Sequence, residues 1–269
     1  MKILFSWFKL QIANISRIFR VVHFDKKAIN KSYFFGYIWE FLSPALQIFI
    51  YYLIFGIRLK GQVMINSEIS YIDWMLIGVI PWFYISSSII LGSGSIYQNL
   101  SLISKTKFPI EILPTVSVVK GLNNFFTMMG IFIIYFVIKG FYPTLEWLQL
   151  IYYFICMICL LIAISVLTSA ITVMFRELQI IISSSMRLLF FISGTVINVT
   201  NNPDSILTKI LLLNPFVYVI EGFRDALLSR GWFFYDIDKS IYFFSIVILV
   251  LLIGVYISNR YKDTFIEYV

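Results

Sequence analysis

The sequence predicts an all-α integral membrane protein with six transmembrane helices, an N-terminal amphipathic interface helix and short re-entrant helices in its last external loop. Charged residues make up 13% of the 269 residues and hydrophobic residues 60%, whereas soluble domains average about 25% charged and 45–50% apolar. Aromatic residues make up 19%, which is too many for a disordered chain. The composition therefore excludes a water-soluble globular protein.

Residues 1–36 are predicted to form a cytoplasmic interface helix followed by a linker. In a helix, six apolar residues fall within about 80° of one another, and Arg17 and Arg20 lie on the other side. This pattern is typical of a helix lying in the plane of the membrane interface. An ordinary globular helix is the alternative, but the chain offers no cytoplasmic domain for it to pack on. The apolar positions are Leu4, Phe8, Ile12, Ile15, Phe19 and Val22.

Six charge-poor stretches in residues 37–269 are long enough to cross a hydrocarbon core of about 30 Å, which takes about 20 helical residues. Basic residues concentrate before the first stretch and in the connections on the same side, so both termini are predicted to be cytoplasmic. Residues 37–269 then form one transmembrane domain. The stretches lie within 37–57, 74–104, 112–138, 147–175, 178–199 and 240–259.

Two basic residues, Arg187 and Lys120, lie inside predicted spans. Arg187 follows Glu177 by ten residues, which places it about 15 Å into the bilayer. An arginine there costs at least about 2.5–3.5 kcal/mol, so it is expected to face protein or water. Arg187 either lines a path or is a structural arginine satisfied by Glu40 or by carbonyl groups. Lys120 either faces a path or extends to the cytoplasmic interface.

Aromatic residues occupy two kinds of position in the predicted spans. Tryptophans near span ends are expected to anchor the helices at the membrane interfaces. Aromatic residues deeper in the spans either pack in the protein core or line a path through the membrane. The anchors are Trp39, Trp74, Trp82, Trp147 and Trp232, and the deeper residues are Tyr51, Tyr52, Tyr84, Phe190 and Phe191.

The external loop before the last span contains two apolar stretches, 206–213 and 215–228, that are too short to cross the membrane. Asn214 followed by Pro215 predicts a helix start, because Asn caps free N–H groups and Pro suits the first turn. Glu221 and Arg224 are one turn apart and are expected to pair. The loop is therefore predicted to form a lid of two short helices packed against protein.

Two cytoplasmic connections are candidates for contact with a partner. Residues 97–109 carry Lys105 and Lys107 and form either a plain loop or a short helix presented to a partner. The connection at Arg176 and Glu177 is so short that two spans must form a tight hairpin with a charged tip. The sequence contains no P-loop motif and no cluster of catalytic residues, which predicts a pathway rather than an enzyme.

Several motifs follow one another along the chain. They are residues 30–32 and 36–44 before the first span, residues 105–109 (Lys-Thr-Lys-Phe-Pro), Phe175-Arg176-Glu177, and Asn214-Pro215 followed by residues 221–224 (Glu-Gly-Phe-Arg). This order and spacing resemble type-2 ABC exporter permeases that move polysaccharides, and within that family the teichoic acid translocation permeases of Gram-positive bacteria. Two positions differ from the family pattern: Glu177 replaces a shorter acidic residue, and Ser193-Gly194 stands where Ser-Pro is expected.

The resemblance implies a homodimer in the bacterial cytoplasmic membrane, with two copies of a separate ABC ATPase on its cytoplasmic face. Its cargo would be an anionic cell-wall polysaccharide linked to undecaprenyl diphosphate, with wall teichoic acid as the expected polymer. No cofactor is expected in this chain, because ATP and Mg²⁺ would bind to the partner ATPase, and no nucleic acid is expected as a partner. The alternatives are a sister permease for O-antigen, capsule or another glycan, a drug or ion exporter, and a membrane-embedded glycosyl or acyl transferase.

The resemblance also implies three groups of functional residues. The contacts that receive the ATPase motion would be Lys105, Lys107, Phe108, Arg176 and Glu177. The translocation path would be lined by Arg187, Lys120, Tyr51, Tyr52, Phe190 and Phe191. The outer gate, at about residues 203–228, would contain Asn214, Pro215, Tyr218, Glu221 and Arg224.

Overall fold

The structure, a computed structural model, describes residues 2–32, 34, 36–58, 69–100, 108–196 and 206–261. Within these ranges all regular structure is helical, which confirms the all-α part of the predicted fold class. The α-helices are α1 (Lys2–Ala13), α2 (Ile15–Ser32), α3 (Trp39–Arg58), α4 (Tyr71–Ser93), α5 (Leu113–Lys120), α6 (Leu122–Ile138), α7 (Gln149–Met174), α8 (Glu177–Ile192), α9 (Ile206–Leu212), α10 (Pro215–Leu227) and α11 (Ile237–Tyr261).

Four helical stretches in the described residues are long and apolar enough to cross a membrane. They correspond to the second, third, fourth and sixth predicted spans. The first and fifth predicted spans correspond to α3 and α8, which have 20 and 16 residues. Helix α8 rises about 24 Å, less than a hydrocarbon core of about 30 Å, so the count of six stays a prediction. The four stretches are Tyr71–Ser93, Ile110–Ile138, Leu145–Met174 and Phe233–Tyr261.

The core forms where α7 packs against α4, α5, α10 and α11. The prediction that Trp74 and Trp82 are interface anchors is wrong, because their side chains are 1% and 3% exposed inside this core. The Trp82 ring packs edge-on against Phe216, with 5.8 Å between the ring centroids. Tyr84 is also buried, which supports core packing rather than a path for this residue.

The N-terminal segment forms two helices rather than one, because the chain turns at Asn14. Trp7 of α1 is buried against Val166 and Val255, and Ile18 of α2 is buried against residues that include Ile112. The predicted apolar stripe lies mostly on the outer surface, with four of its residues between 48% and 70% exposed. The two helices therefore rest on the bundle through one side and leave the stripe open, as a membrane interface requires. The exposed stripe residues are Phe8, Ile12, Ile15 and Phe19.

The bundle has two distinct ends. At the first, called the α1–α2 end, α1 and α2 meet the beginning of α5 and the last turns of α7 and α11. At the second, called the α10 end, the first turn of α4 meets the last turns of α6, and the first turn of α7 meets the segment after α10. The candidate functional residues divide between these ends and the exposed faces of α3 and α8.

Candidate functional site

The guanidinium of Arg224 on α10 is completely buried, with 0% of its side chain exposed. It lies flat on Trp74, with 3.5 Å between its central carbon and the ring centroid. Nη1 donates to Glu221 Oε1 and to the Gly194 carbonyl, both at 2.6 Å, and Nη2 donates to the Thr195 carbonyl at 2.9 Å. Nε donates to the Trp74 carbonyl at 3.2 Å. These five residues, called the Arg224 clamp, join α10, α4 and the turn after α8.

Two glycines make room for the Arg224 clamp. Gly194 has a φ of +75°, whereas proline is held near −65°, so the Gly194 conformation explains the departure from the Ser-Pro pattern. A Cβ atom at Gly78 would clash with Nη2 of Arg224. Helix α4 therefore needs glycine at this position for the guanidinium to reach its carbonyl partners.

Helix α10 begins where the sequence predicts. Asn214 Oδ1 accepts a hydrogen bond from the backbone N–H of Phe216 at 3.0 Å, and Pro215 occupies the first turn. Asn214 Nδ2 donates to Ser193 Oγ at 3.3 Å, which ties this start to the end of α8. The predicted cap and the predicted pairing of Glu221 with Arg224 are confirmed, and the loop contains two short helices. Their re-entrant position in the membrane stays a prediction.

Tyr218 connects α10 to two of the long helices. Its hydroxyl lies 3.0 Å from the hydroxyl of Tyr152 on α7 and 2.8 Å from Oγ of Ser240 on α11. The α10 helix is thus bonded on one side to α4 and α8 and on the other to α7 and α11. This arrangement gives a short helix several fixed attachments, and its role as an outer gate stays a prediction.

Arg187 lies on the exposed side of α8. Within the described residues its guanidinium makes one hydrogen bond, from Nη2 to Oγ of Ser184 at 3.2 Å. Its neighbours Leu188 and Phe191 are exposed apolar side chains. An arginine facing lipid at this depth would cost about 2.5–3.5 kcal/mol. The face is therefore a candidate for contact with a second chain or with water.

Besides Tyr84, the deep aromatic residues divide into two pairs. Tyr51 packs against Phe83 and Phe190, with ring centroids 5.1 Å and 6.4 Å apart. Tyr52 and Phe191, the next residue in each helix, are exposed. Tyr51 and Phe190 thus pack against other rings, whereas Tyr52 lies on the exposed surface of α3 and Phe191 on that of α8, the helix of Arg187.

The α1–α2 end holds the predicted partner contacts that the structure describes. The central carbon of the Arg176 guanidinium lies 4.8 Å from the Tyr97 ring centroid, which brings the α7–α8 hairpin beside the segment that begins at Tyr97. Phe108 packs at the same end, and Arg176 and Glu177 are exposed. Three of the five predicted contacts thus lie at one end of the bundle. Lys105 and Lys107 lie outside the described residues.

Lys120, at the end of α5, forms a salt bridge with Asp25 of α2. Both side chains are partly exposed, so the pair contributes about 1 kcal/mol or less to stability. Nearby, Gln11 of α1 donates a hydrogen bond to the carbonyl of Glu111 at 2.9 Å. Lys120 therefore contributes a contact between the N-terminal helices and the bundle. Its part in a translocation path stays a prediction.

An ion pair at the α10 end, between buried Asp73 and exposed Lys139, was not predicted from the sequence. Nζ of Lys139 lies 2.8 Å and 3.0 Å from the two carboxylate oxygens of Asp73, which also accepts from the hydroxyl of Tyr135 at 3.0 Å. The pair fixes the start of α4 to the end of α6. The available signals were two charges near span ends, Asp73 at the start of one span and Lys139 just after another. Because the residues are 66 positions apart, the sequence did not indicate that they pair.

The carboxyl group of Asp225, on α10, is expected to make stability depend on pH. Burial raises its pKa from 3.8 to about 6, and the negative charge of Glu221 adds to the rise. The folded state therefore binds this proton more tightly, so the group's stabilising contribution is complete below about pH 3.8 and is lost as the pH rises through about 6. The positive charges of three residues act in the opposite direction and lower this pKa. They belong to Arg230, Lys239 and Arg224.

We expect Asp225→Asn to flatten the pH profile of thermal stability between about pH 4 and 6.5, because the substituted amide does not titrate in this range. The measurement is thermal unfolding of the purified protein in detergent across that range. If the thermal stability of the variant changes with pH as steeply as that of the natural protein, another group causes the pH dependence.

Comparison with known proteins decides the family. Residues 18–228 match the family of ABC-2 type transporters. The chain belongs to this family. It is 26% identical over 252 residues to an O-antigen export system permease protein RfbA of Klebsiella pneumoniae, covering 90% of this chain and 91% of that relative. This ABC-2 permease is a transport component rather than an enzyme, and its family implies an ABC ATPase as partner.

Two further relatives are also named as export or transport proteins. The chain is 29% identical over 207 residues to the O-antigen export system permease protein RfbA of Myxococcus xanthus, covering 76% of this chain and 77% of that protein. It is 25% identical over 194 residues to a polysialic acid transport protein KpsM of Escherichia coli, covering 72% and 74% of the two chains. The predicted membership in the ABC exporter permeases is therefore confirmed.

Proposed function

We propose that this permease is the transmembrane subunit of an exporter that moves a polysaccharide linked to undecaprenyl diphosphate across the bacterial cytoplasmic membrane. The observation that carries the proposal is the similarity to an O-antigen export permease over 90% of the chain. A separate ABC ATPase binds ATP and Mg²⁺ and supplies the energy. The α1–α2 end faces the cytoplasm, which agrees with the basic residues on that side.

The cargo belongs to one of two polymer classes. The motif resemblance favours wall teichoic acid, whereas the names of the relatives favour an O-antigen or capsule glycan. Depletion of the permease separates them. Loss of a phosphate-rich wall polymer would support teichoic acid, and loss of a surface glycan without phosphate would support the second class.

The path for this cargo lies between two copies of the chain. Helices α3 and α8 complete the six spans, and the second copy covers their exposed surfaces, which carry Tyr52 on α3 and Arg187 and Phe191 on α8. A diphosphate cannot cross hydrocarbon unaided, because burying its charge without a partner is prohibitive. An arginine on a protein-lined path lowers this barrier, and aromatic rings allow sugar units to slide along their faces.

Energy reaches the path through the α1–α2 end. ATP binding can favour one state of the path only if the two states of the permease differ in their contacts with the ATPase. Phe108, the hairpin at Arg176 and the N-terminal helices lie together at this end and form the surface available for such contacts. The salt bridge between Lys120 and Asp25 connects that surface to α5.

Charge reversal at the hairpin should uncouple the two subunits. We expect Arg176→Glu to reduce transport at least about tenfold while ATP hydrolysis continues, because the reversed charge disrupts the contact that couples the permease to the ATPase. A tenfold loss corresponds to about 1.4 kcal/mol. The contact of the Arg176 guanidinium with Tyr97 is lost at the same time. The measurement is transport per ATP hydrolysed in vesicles that contain both subunits.

The matched control for this prediction is Arg260→Glu, which reverses another exposed arginine at the α1–α2 end, on the last turn of α11. It should leave the ratio of transport to hydrolysis unchanged. If both variants keep normal coupling, the hairpin does not receive the ATPase motion.

The first test of the proposal is copurification of the full chain with the product of an adjacent ATPase gene. A complex with ATPase activity that responds to the lipid-linked glycan is the expected result. If the chain alone converts a lipid-linked substrate into a new product, it is a transferase and the proposal is wrong.

A further inference from the structure

A cavity of about 460 Å³ opens at the α10 end, between α10 and the beginning of α11. Its volume lies within the range of about 300–1,000 Å³ that is typical of small-molecule sites. Tyr218, Glu221, Gly222 and Asp225 contribute one face of α10 to its wall. Arg224 is not part of that wall, since it points to α4 on another side of the helix. The guanidinium of Arg224 therefore lies outside the cavity, whereas Glu221 contacts Arg224 and also lines the cavity.

Aromatic rings form much of the wall. Trp232, Tyr235 and Tyr242 line the cavity from the segment after α10 and from α11. The Tyr235 side chain is 72% exposed, so its ring is open to a ligand. Such rings offer a flat apolar face together with a polar edge. This combination suits a molecule that has C–H faces and hydroxyl groups on the same ring.

The charges on the wall exclude an anionic ligand. Carboxylates outnumber cations by four to two, and each cation already has an acidic partner. Arg230 lies 3.7 Å from Glu221, and Lys239 lies 2.5 Å from Asp236. A phosphate in the cavity would meet net negative charge. The charged lining residues are Glu221, Asp225, Asp236, Asp238, Arg230 and Lys239.

Asp238 is the carboxylate best placed to receive a ligand. It is exposed at the beginning of α11, and no other described residue gives it a hydrogen bond or an ion pair. A carboxylate accepts strong hydrogen bonds from neutral donors such as hydroxyl groups. Asp238 and Tyr235 thus place an acceptor and an aromatic ring in the wall of one cavity.

We propose that this cavity binds a neutral saccharide of one or two sugar rings, with Tyr235 and Trp232 against the C–H faces and Asp238 accepting from the hydroxyl groups. The inference rests on the proposed function and deepens it, because it assigns a site for the sugar part of the cargo on the external face, beside α10. Glycan that leaves the path would meet this site next.

The test is saturation-transfer NMR on the full chain with its ATPase partner in lipid nanodiscs. The probes are neutral disaccharides of glucose, galactose, mannose and rhamnose, and the delipidated glycan of the host. We expect transfer to the C–H protons of at least one probe. Asp238→Asn should weaken its binding about tenfold, as the loss of a hydrogen bond to a charged group does. Tyr235→Ala should weaken it by about the same factor, because the sugar loses an aromatic face. Tyr142→Ala is the matched control, because Tyr142 is also 72% exposed and lies outside the cavity.

Two results would overturn the inference. They are transfer to none of the probes, and binding that Tyr235→Ala and Asp238→Asn leave unchanged. Export of labelled glycan by vesicles separates the two proposals. Export without saccharide binding contradicts the cavity assignment alone, whereas saccharide binding without export contradicts the proposed function alone.

Discussion

Replacing Arg224 with methionine should destabilise the permease by about 3–5 kcal/mol, the usual effect of removing one partner of a buried ion pair. The guanidinium supplies hydrogen bonds to three backbone carbonyl groups and to Glu221. Methionine fills the space but donates nothing, so the three carbonyl groups lose these donors and Glu221 keeps only Arg230, 3.7 Å away. The measurement is equilibrium unfolding in mixed detergent micelles.

The control for this prediction is Arg230→Met, three residues after α10 ends. Arg230 is only partly buried, and its guanidinium lies 3.7 Å and 3.9 Å from the carboxylates of Glu221 and Asp225. Such pairs contribute about 1 kcal/mol or less, so the stability of this variant should remain close to that of the natural protein. If Arg224→Met is as stable as Arg230→Met, the Arg224 clamp does not hold α10 to α4 and α8.

Replacing Arg187 with alanine should nearly abolish export without lowering stability. The side chain lies on the exposed apolar face of α8 and makes one hydrogen bond to another described residue, Ser184. Because the side chain makes so few contacts within the chain, the amount of folded protein should stay the same. The path loses its cation, and export should fall at least about tenfold, the ratio that corresponds to about 1.4 kcal/mol.

The neighbouring variant Leu188→Ala serves as the control for Arg187→Ala. Leu188 is 68% exposed on the same helix and carries no charge, so its loss should reduce export far less. Export and unfolding are measured on the same preparations. A drop in stability with a parallel drop in export would mean that Arg187 is a structural arginine.

The parts of the fold that depend on neighbours in sequence could be predicted. Long apolar runs gave the long helices, because length and composition decide which segments can cross a membrane. Asn214 and Pro215 gave the start of α10, since both the cap and the first turn are local. The pairing of Glu221 with Arg224 follows from their spacing of one helical turn.

The parts that depend on distant residues could not be predicted. Arg224 donates to the carbonyl of Trp74, a residue 150 positions away, and nothing local marks Trp74 as its partner. Hydrophobicity alone placed Trp74 at a membrane interface, whereas the clamp holds it in the core. The pair of Asp73 and Lys139 escaped prediction for the same reason, because helix packing alone brings the two residues together.

The N-terminal helices combine one feature that could be predicted from the sequence with others that depend on packing. The apolar stripe is periodic, so the sequence revealed an amphipathic helix. The turn at Asn14 and the burial of Trp7 against Val166 depend on the shape of the bundle beneath them. Which side of an amphipathic helix meets protein and which meets membrane is therefore decided by packing.

The most direct test is transport into vesicles that contain the purified permease and its ATPase, with the ATPase facing outward. Fluorescent glycan on undecaprenyl diphosphate is added outside, and the label that enters becomes protected from an external glycan-degrading enzyme. We predict protection that requires ATP and both subunits, with the glycan chemically unchanged. Label that stays accessible with both subunits and ATP present, or protection without the ATPase, would contradict an ATP-driven path through this permease.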